Sequence, residues 1–413
     1  MLRLKNKSLS MKLNSLLPAI ALCLLCVAGN AGAQVLQQPT DTVRRGVVHR
    51  LGVDVRPGYV FPTRSFFEGN NAAGKPINTA LGVHLKYAFQ FSPDSRLGRL
   101  YPHAYQGIGV AYNSFFNSAE VGNPVALYAF QGARIARLTP SLTLDYEWNF
   151  GASFGWKKYD EETNSYNIVV GSPINAYINA GFFLNWQMAP QWQLTAGVDL
   201  THYSNGNTHY PNSGVNTVGA RIGVVRTFGD EPAGRVTAQQ QTVGDAGIRG
   251  RLGYDLVFYG STRKRGIFWD DHAELIPGSF AVLGLNFNPM YVVNQYFRAG
   301  ASLDAQYDES ANLREHWVEG TSGDGIKFYR PPFRERFAVG LSLRAELNMP
   351  IFSVNIGVGH NLVQQGEDTR GFYQVLALKT FVTRRLFLHV GYQLSNFKDP
   401  NNLMLGLGWR FGK

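Results

Sequence analysis

Apolar and polar side chains alternate with a period of two along most of this chain. The segment from Leu142 to Trp156 shows the pattern most clearly, because its even positions are apolar or aromatic and its odd positions are polar, acidic or glycine. Successive side chains of a β-strand point to opposite faces, so one face of this segment is apolar and the other carries Asp145 and Glu147. The pattern predicts an amphipathic strand.

Similar segments recur, and the connections between them alternate between short and long. In the first half we predict strands near 48–57, 80–92, 105–116, 125–137, 142–156, 174–187, 191–204 and 215–228. In the second half we predict strands near 251–262, 279–288, 294–307, 333–348, 351–359, 372–383, 385–395 and 402–411. Short turns at one end and long loops at the other are typical of outer-membrane barrels, which turn their apolar face to lipid. Connection 93–104 fits this rule poorly, because it is long where a short turn is expected.

The two halves of the chain end in similar sequences. The first ends in Val225-Arg226-Thr227-Phe228-Gly229 and the second in Gly408-Trp409-Arg410-Phe411-Gly412, and each ending follows a Ser-Asn pair and a Pro-Asn pair. Between the halves, residues 229–249 are rich in Gly, Gln and Asp, which is typical of a linker. We therefore predict an all-β fold with two tandem eight-stranded barrel units, residues 34–228 and 250–413. One closed barrel of about sixteen strands is the alternative.

The first 33 residues are expected to be a signal peptide, because a basic start is followed by an apolar run and by small residues up to Ala33. The apolar run is too short to span a bilayer as a helix. Cys23 and Cys26, the two cysteines of the chain, lie within this leader. The mature protein is therefore expected to have no disulfide, no reactive thiolate and no cysteine-ligated zinc.

Composition supports a membrane rather than a soluble β-sandwich, since 45% of residues are hydrophobic and only 16% are charged. The predicted mature chain has no run of about 18 apolar residues, so a spanning structure has to be built from strands. The formal charge of +10 falls to about +6 once the leader is removed. An exported basic protein meets phosphate mainly on lipid and lipopolysaccharide, so these are the expected partners and nucleic acid is not. We place the protein in the bacterial outer membrane, and its oligomeric state stays open.

A histidine and a serine stand at the end of the strand predicted over 191–204. By strict alternation, His202 and Ser204 share the apolar face, and Asn216 begins an equally apolar row on the next strand. Across a hairpin these three side chains can meet beside the outer leaflet. A serine with a histidine in reach is the minimum for a nucleophile and its general base. A histidine and a serine are also common at a membrane boundary as polar loop-edge residues with no catalytic role, so their spacing alone does not identify an active site.

The run His202-Tyr203-Ser204-Asn205, followed by Pro211-Asn212 and Gly214, resembles the PagL-type lipid A 3-O-deacylases, an outer-membrane family related to acyloxyacyl hydrolases. The resemblance is strongest over 190–228. It implies an eight-stranded barrel that hydrolyses an ester-linked acyl chain of lipid A by a Ser-His-acid triad, with no cofactor and no metal. It further implies that Ser204 is the nucleophile, that His202 is the general base, and that the loop after Ser204 forms the oxyanion hole. The expected oxyanion-hole residues are Asn205, Gly206 and Asn207.

The sequence departs from this family at two positions. The acid of the triad is replaced by Asn216, which can orient a histidine but adds no charge, and the family's loop glycine is replaced by Asn207. Asp199 is a poor substitute for the acid, because alternation places it on the face opposite His202. Asp145 and Glu147 also face away from the site.

The second half keeps the strand pattern and lacks the catalytic pair. Aligned by face, Leu394 occupies the position of His202, and aligned on the Ser-Asn pair, Gln393 does. We therefore expect a non-catalytic copy. For the whole protein we predict an outer-membrane esterase acting on lipid A or lipopolysaccharide, and the alternative is a non-catalytic structural or transport barrel. A metal site at His202 and His209 is not expected, because no carboxylate accompanies them.

Overall fold

In a computed structural model, residues 47–228, 251–268, 273–321, 325–397 and 399–412 are described. They form two closed antiparallel barrels of eight strands each. The prediction of two tandem barrels is confirmed, and the alternative of one barrel of about sixteen strands is wrong. The signal peptide expected over 1–33 and the linker expected over 229–249 lie outside the described residues.

The first barrel consists of the strands β1 to β8, and β8 pairs with β1 to close it. Their bounds are β1 Val48–Phe61, β2 Thr79–Gln90, β3 Tyr105–Ser114, β4 Gly122–Arg137, β5 Leu142–Trp156, β6 Ile174–Ala189, β7 Trp192–Ser204 and β8 Val215–Phe228. Two short helices lie in its connections, α1 over Ser65–Glu68 and α2 over Arg96–Leu100.

The second barrel consists of β9 and β12 to β18, and β18 pairs with β9 to close it. Their bounds are β9 Leu252–Arg263, β12 Phe280–Val292, β13 Phe297–Asp308, β14 Phe337–Asn348, β15 Phe352–Val363, β16 Phe372–Phe381, β17 Leu386–Ser395 and β18 Asp399–Phe411. A small hairpin, β10 Gly266–Phe268 and β11 Ala273–Leu275, follows β9. A 3-10 turn covers Leu313–His316, and helix α3 covers Phe333–Arg336. None of the helices in the described ranges has the length and apolar character needed to cross a membrane.

The outward rows of the strands are apolar and accessible, as the alternation predicts. On β2, Val83, Leu85 and Tyr87 are 42%, 54% and 41% exposed. A soluble protein would bury such a row, whereas a barrel in lipid turns it to the hydrocarbon. Because closed strands leave no backbone edge, the barrel satisfies its backbone hydrogen bonds within the membrane.

The lumen of the first barrel is filled by buried ion pairs. Arg56 lies 2.6 Å from Asp54 and 3.2 Å from Asp199, and Glu147 lies 3.1 Å from both Lys86 and Arg221. The inward positions of Glu147 and Asp199 are as predicted. Charges in a low-dielectric interior are stable only when paired, and these pairs occupy the space that a channel would need.

The second barrel is filled in the same manner. Lys379 bridges Asp255, at 2.7 Å, and Glu346, and Arg344 contacts Asp304 at 2.9 Å. Both lumens are therefore packed with charged side chains that form ion pairs. This arrangement is typical of small barrels filled by side chains and not of porins.

One expectation about β5 is wrong at its end. The strict alternation places Trp156 on the outward face, but Trp156 is 4% exposed and packs inside the barrel against Phe115 and Tyr203. The reason is Gly155, whose φ of +92° bends the strand and shifts the side-chain alternation at its outer end.

Candidate active site

The candidate site lies on the hairpin of β7 and β8, where the strands end at the side of the long loops. His202 and Asn216 are directly paired across this hairpin. The Nδ1 atom of His202 lies 2.7 Å from Oδ1 of Asn216, within hydrogen-bond distance. Both residues are half-buried and belong to the outward rows. The expected meeting of these two side chains is therefore found.

This hydrogen bond selects the tautomer of the imidazole. The amide oxygen of Asn216 can only accept, so Nδ1 of His202 carries the proton and donates it. Nε2 then has its lone pair free to accept a proton from another group. A histidine in this state is suited to act as a general base.

Ser204 lies two residues further along the same row and pairs with Ala176 of β6. It is half-buried at the rim. Among the described residues, no hydrogen bond from Ser204 Oγ to His202 is found. Catalytic hydrogen bonds are often long before substrate binds and shorten in the substrate complex. The structure thus places the side chains of His202 and Asn216 in contact, and Ser204 follows His202 on the same outward face of β7.

Glycine allows the loop between β7 and β8 to lie against the imidazole. Gly214 has a φ of +73°, and a Cβ atom added there would lie 3.0 Å from Cε1 of His202. Its carbonyl accepts a hydrogen bond of 2.9 Å from Oγ1 of Thr63, which lies in the neighbouring long loop. A residue with a Cβ atom at position 214 would displace the imidazole ring of His202.

Asn205 provides a donor next to the serine. The residue is 7% exposed, and its Nδ2 atom is buried with no hydrogen-bond partner in the described structure. Its Oδ1 accepts from the backbone N–H of His209 at 3.3 Å, and its own backbone N–H donates to Asn212 Oδ1 at 3.0 Å. An unpaired buried amide costs free energy, so this Nδ2 is a donor available to a bound group.

Gly206 and Asn207 complete a tight turn after Asn205. Their φ angles are +63° and +64°, and the N–H of Thr208 lies 3.4 Å from the carbonyl oxygen of Asn205. Left-handed backbone at two consecutive positions is tolerated by Gly and Asn and by few other residues. The presence of asparagine at 207 therefore preserves the shape of the turn. Sequence reasoning placed these residues in the loop but did not identify the unpaired Asn205 Nδ2, which depends on three-dimensional packing.

The equivalent hairpin of the second barrel, formed by β17 and β18, carries different residues. Leu394 lies on the outward row of β17 and pairs with Pro400 of β18. His389, on the same strand, is 3% exposed and lies in the lumen. Among the described residues of β17 and β18, His389 pairs with Gly406 and Gln393 pairs with Asn402, so no histidine faces an asparagine across this hairpin.

Comparison with known proteins gives a family match for each barrel. Residues 81–225 match the model described as lipid A 3-O-deacylase (PagL), and residues 252–413 match the model described as acyloxyacyl hydrolase, C-terminal domain. No curated protein matches the chain. Among solved structures, the outer membrane enzyme PagL is 14% identical over 42% of this chain and 97% of that chain, with a TM-score of 0.27. Neisserial surface protein A is 9% identical over 44% of this chain and 99% of that chain, with a TM-score of 0.29.

Proposed function

We propose that the chain, whose residues 81–225 match the family model of lipid A 3-O-deacylase (PagL), is an outer-membrane esterase that removes an ester-linked acyl chain from lipid A. In this proposal, Ser204 is the nucleophile and His202 the general base. The observation that carries the proposal is the 2.7 Å contact between His202 and Asn216 on the lipid-facing wall. A polar pair at that place has no role in filling the lumen, and it lies at the outer rim of the barrel, the level at which ester links join acyl chains to the sugars of lipid A.

The reaction proposed for this site has two halves. Nε2 of His202 takes the proton of Ser204 as Oγ attacks the ester carbonyl, and the negative charge that develops on the carbonyl oxygen is met by Nδ2 of Asn205. The sugar oxygen leaves with the proton from His202, and the acyl chain stays on Ser204. Water then attacks the acyl-enzyme, His202 takes its proton and returns it to Oγ, and a free fatty acid is released.

The proposal is tested with the purified full chain and lipid A in mixed detergent micelles. The expected products are lipid A that is lighter by one acyl chain and an equimolar amount of free fatty acid. In water enriched in ¹⁸O, the released carboxylate should carry the label, because water resolves the acyl-enzyme. Intact lipid A after prolonged incubation would count against the esterase.

The second candidate is a non-catalytic structural barrel, which is favoured by the amide at Asn216 and by Leu394 in place of a histidine on the equivalent hairpin of the second barrel. Transport is disfavoured by the ion pairs that fill both lumens, such as Glu147 with Arg221 and Lys379 with Asp255. The same micelle assay separates the candidates, since a structural barrel releases no fatty acid.

Replacing Asn216 with aspartate is expected to raise the rate of acyl release by roughly 10-fold. Aspartate is isosteric with asparagine, so an oxygen stays at hydrogen-bond distance from His202 Nδ1 and now carries a charge that stabilises the imidazolium. A charge-assisted hydrogen bond exceeds a neutral one by about 1.4 kcal/mol, which corresponds to that factor. Asn216→Ala is the matched control and should lower the rate. Equal rates for all three proteins would show that nothing at this position orients the histidine.

Replacing Asn205 with aspartate is expected to lower kcat by about 100-fold or more, because the carboxylate keeps the acceptor for His209 N–H and loses the donor to the oxyanion. Tyr210→Phe is the matched control. Tyr210 lies in the same loop with its side chain 55% exposed, so removal of its hydroxyl should leave kcat near that of the wild type. If Asn205→Asp keeps full kcat, Nδ2 is not the oxyanion donor.

A further inference from the structure

The two barrels contact each other along a seam that begins at the end with the short turns. Tyr101 OH donates a hydrogen bond of 3.0 Å to the carbonyl oxygen of Gln295, and the rings of Tyr101 and Tyr296 are 5.6 Å apart. The side chain of Gln295 donates to the carbonyl oxygen of Leu100 at 3.1 Å. Connection 93–104, which is unusually long for this side, is therefore the segment that docks on the second barrel.

The seam continues at mid-height on β5. The ring of Trp148 meets that of Phe352 edge-on at 5.0 Å, and its Nε1 donates to Gln131 Oε1 at 2.7 Å. Gln131 belongs to the outward row of β4, yet it is 0% exposed. A polar amide turned toward hydrocarbon is costly, and here the neighbouring aromatic residues and the second barrel cover it.

At its outer end the seam reaches the loop of the candidate site. The backbone N–H of Lys264, which follows β9, donates to the carbonyl oxygen of Asn207 at 3.0 Å. The side chain of Leu403 on β18 lies against Gly206, where an added Cβ would be 3.3 Å from its Cδ1. The left-handed turn after Asn205 is thus held by a hydrogen bond and by an apolar contact, both from the second barrel.

We propose that the second barrel is a positioning partner for the catalysis of the first, with Leu403 as the positioning residue that presses on the Gly206–Asn207 turn and so fixes Asn205 beside Ser204. This inference rests on the esterase function proposed above. It gives the second barrel, whose β17–β18 hairpin carries Leu394 where the first barrel has His202, a function in the reaction. Leu403 touches no reacting atom and acts through the shape of the turn.

The first test is a double-mutant cycle on Gly206 and Leu403 in the full chain. Leu403→Ala is expected to lower kcat by roughly 10-fold with KM nearly unchanged, because a displaced oxyanion donor affects the transition state more than binding. Leu403→Met, which conserves volume, should restore kcat. Leu407→Ala is the matched control, because Leu407 lies on the same row of β18 and is 52% exposed. It should have wild-type kcat.

Gly206→Ala should lower kcat as well, and the loss should be smaller in the Leu403→Ala background, where the space for the added methyl group is open. Such non-additivity is expected of two residues in contact. Wild-type kcat for Leu403→Ala, or fully additive losses in the double variant, would overturn the proposal.

The second test does not depend on activity. Cysteines are introduced as Asn207→Cys and Lys264→Cys in the mature chain, together with a protease site between residues 229 and 249. After oxidation and cleavage, the two fragments should remain linked on a non-reducing gel, whereas the control pair Gln191→Cys and Lys264→Cys, at opposite ends of the barrels, should separate. Separation of the two fragments in the protein with Asn207→Cys and Lys264→Cys would overturn the proposed contact between the barrels. Linked fragments, together with a wild-type protein that releases no fatty acid, would refute the esterase and retain the contact.

Discussion

Ser204→Ala is expected to reduce the rate of acyl release by about 1,000-fold or more, to the level left by binding and oxyanion stabilisation alone. The reason is that the proposed acyl-enzyme forms on Oγ, and no other hydroxyl of the loop lies in the row of His202. Ser213→Ala is the matched control. Its hydroxyl lies in the same loop and accepts a hydrogen bond of 3.0 Å from Arg64 Nε, so it should leave the rate near wild type.

The measurement is fatty acid released per minute by purified protein, with the heat-modifiable gel mobility of each variant as the check on folding. Loss of rate in both Ser204→Ala and Ser213→Ala would indicate a disturbed loop. A folded Ser204→Ala protein that releases acyl chains at the wild-type rate would remove the serine from the mechanism.

His202→Ala is expected to have a similarly large effect, with a rate reduced by about 1,000-fold or more, because a serine without its base is a weak nucleophile. Residues that act as one unit are strongly non-additive, so the double variant with Ser204→Ala should be no slower than either single variant. The measurement is again the initial rate of release. A further loss in the double variant would mean that the two residues act independently.

His209 is the appropriate control for the histidine. Burial, with Lys264 and Lys158 nearby, lowers the pKa of His209 below its ordinary value, so its ring is neutral at neutral pH and chemically able to accept a proton. Its backbone N–H, not its ring, contacts Asn205. His209→Asn is therefore expected to keep the wild-type rate. A loss as large as that of His202→Ala would reassign the base.

The alternation of side chains was sufficient to predict most of the fold. It placed Glu147 and Asp199 in the lumen and His202 on the outer wall, and it counted sixteen barrel strands, which the structure arranges in two closed sets of eight. It was wrong at Trp156, because the positive φ of Gly155 reverses the facing of the residues beyond it. A single glycine in a strand does not reveal its φ from sequence, so this kind of break cannot be predicted from the pattern.

The seam between the barrels was also beyond prediction from sequence. Gln131 stands in a row that otherwise faces lipid, and connection 93–104 is longer than its side of the barrel requires. Both are local anomalies in the sequence pattern. Their explanation is lateral packing between two closed surfaces, which depends on the tilt and relative rotation of the barrels and not on any periodicity. The unpaired Nδ2 of Asn205 was beyond prediction from sequence as well, because it also depends on three-dimensional packing.

The most direct test of the central claim is the mass of lipid A in an outer membrane that contains this protein. Wild type and Ser204→Ala are expressed at equal levels in a strain with known lipid A, and the lipid A is analysed by mass spectrometry. The account predicts that wild type removes one ester-linked acyl chain and that Ser204→Ala leaves lipid A at full mass. Identical lipid A masses from the two strains would contradict it.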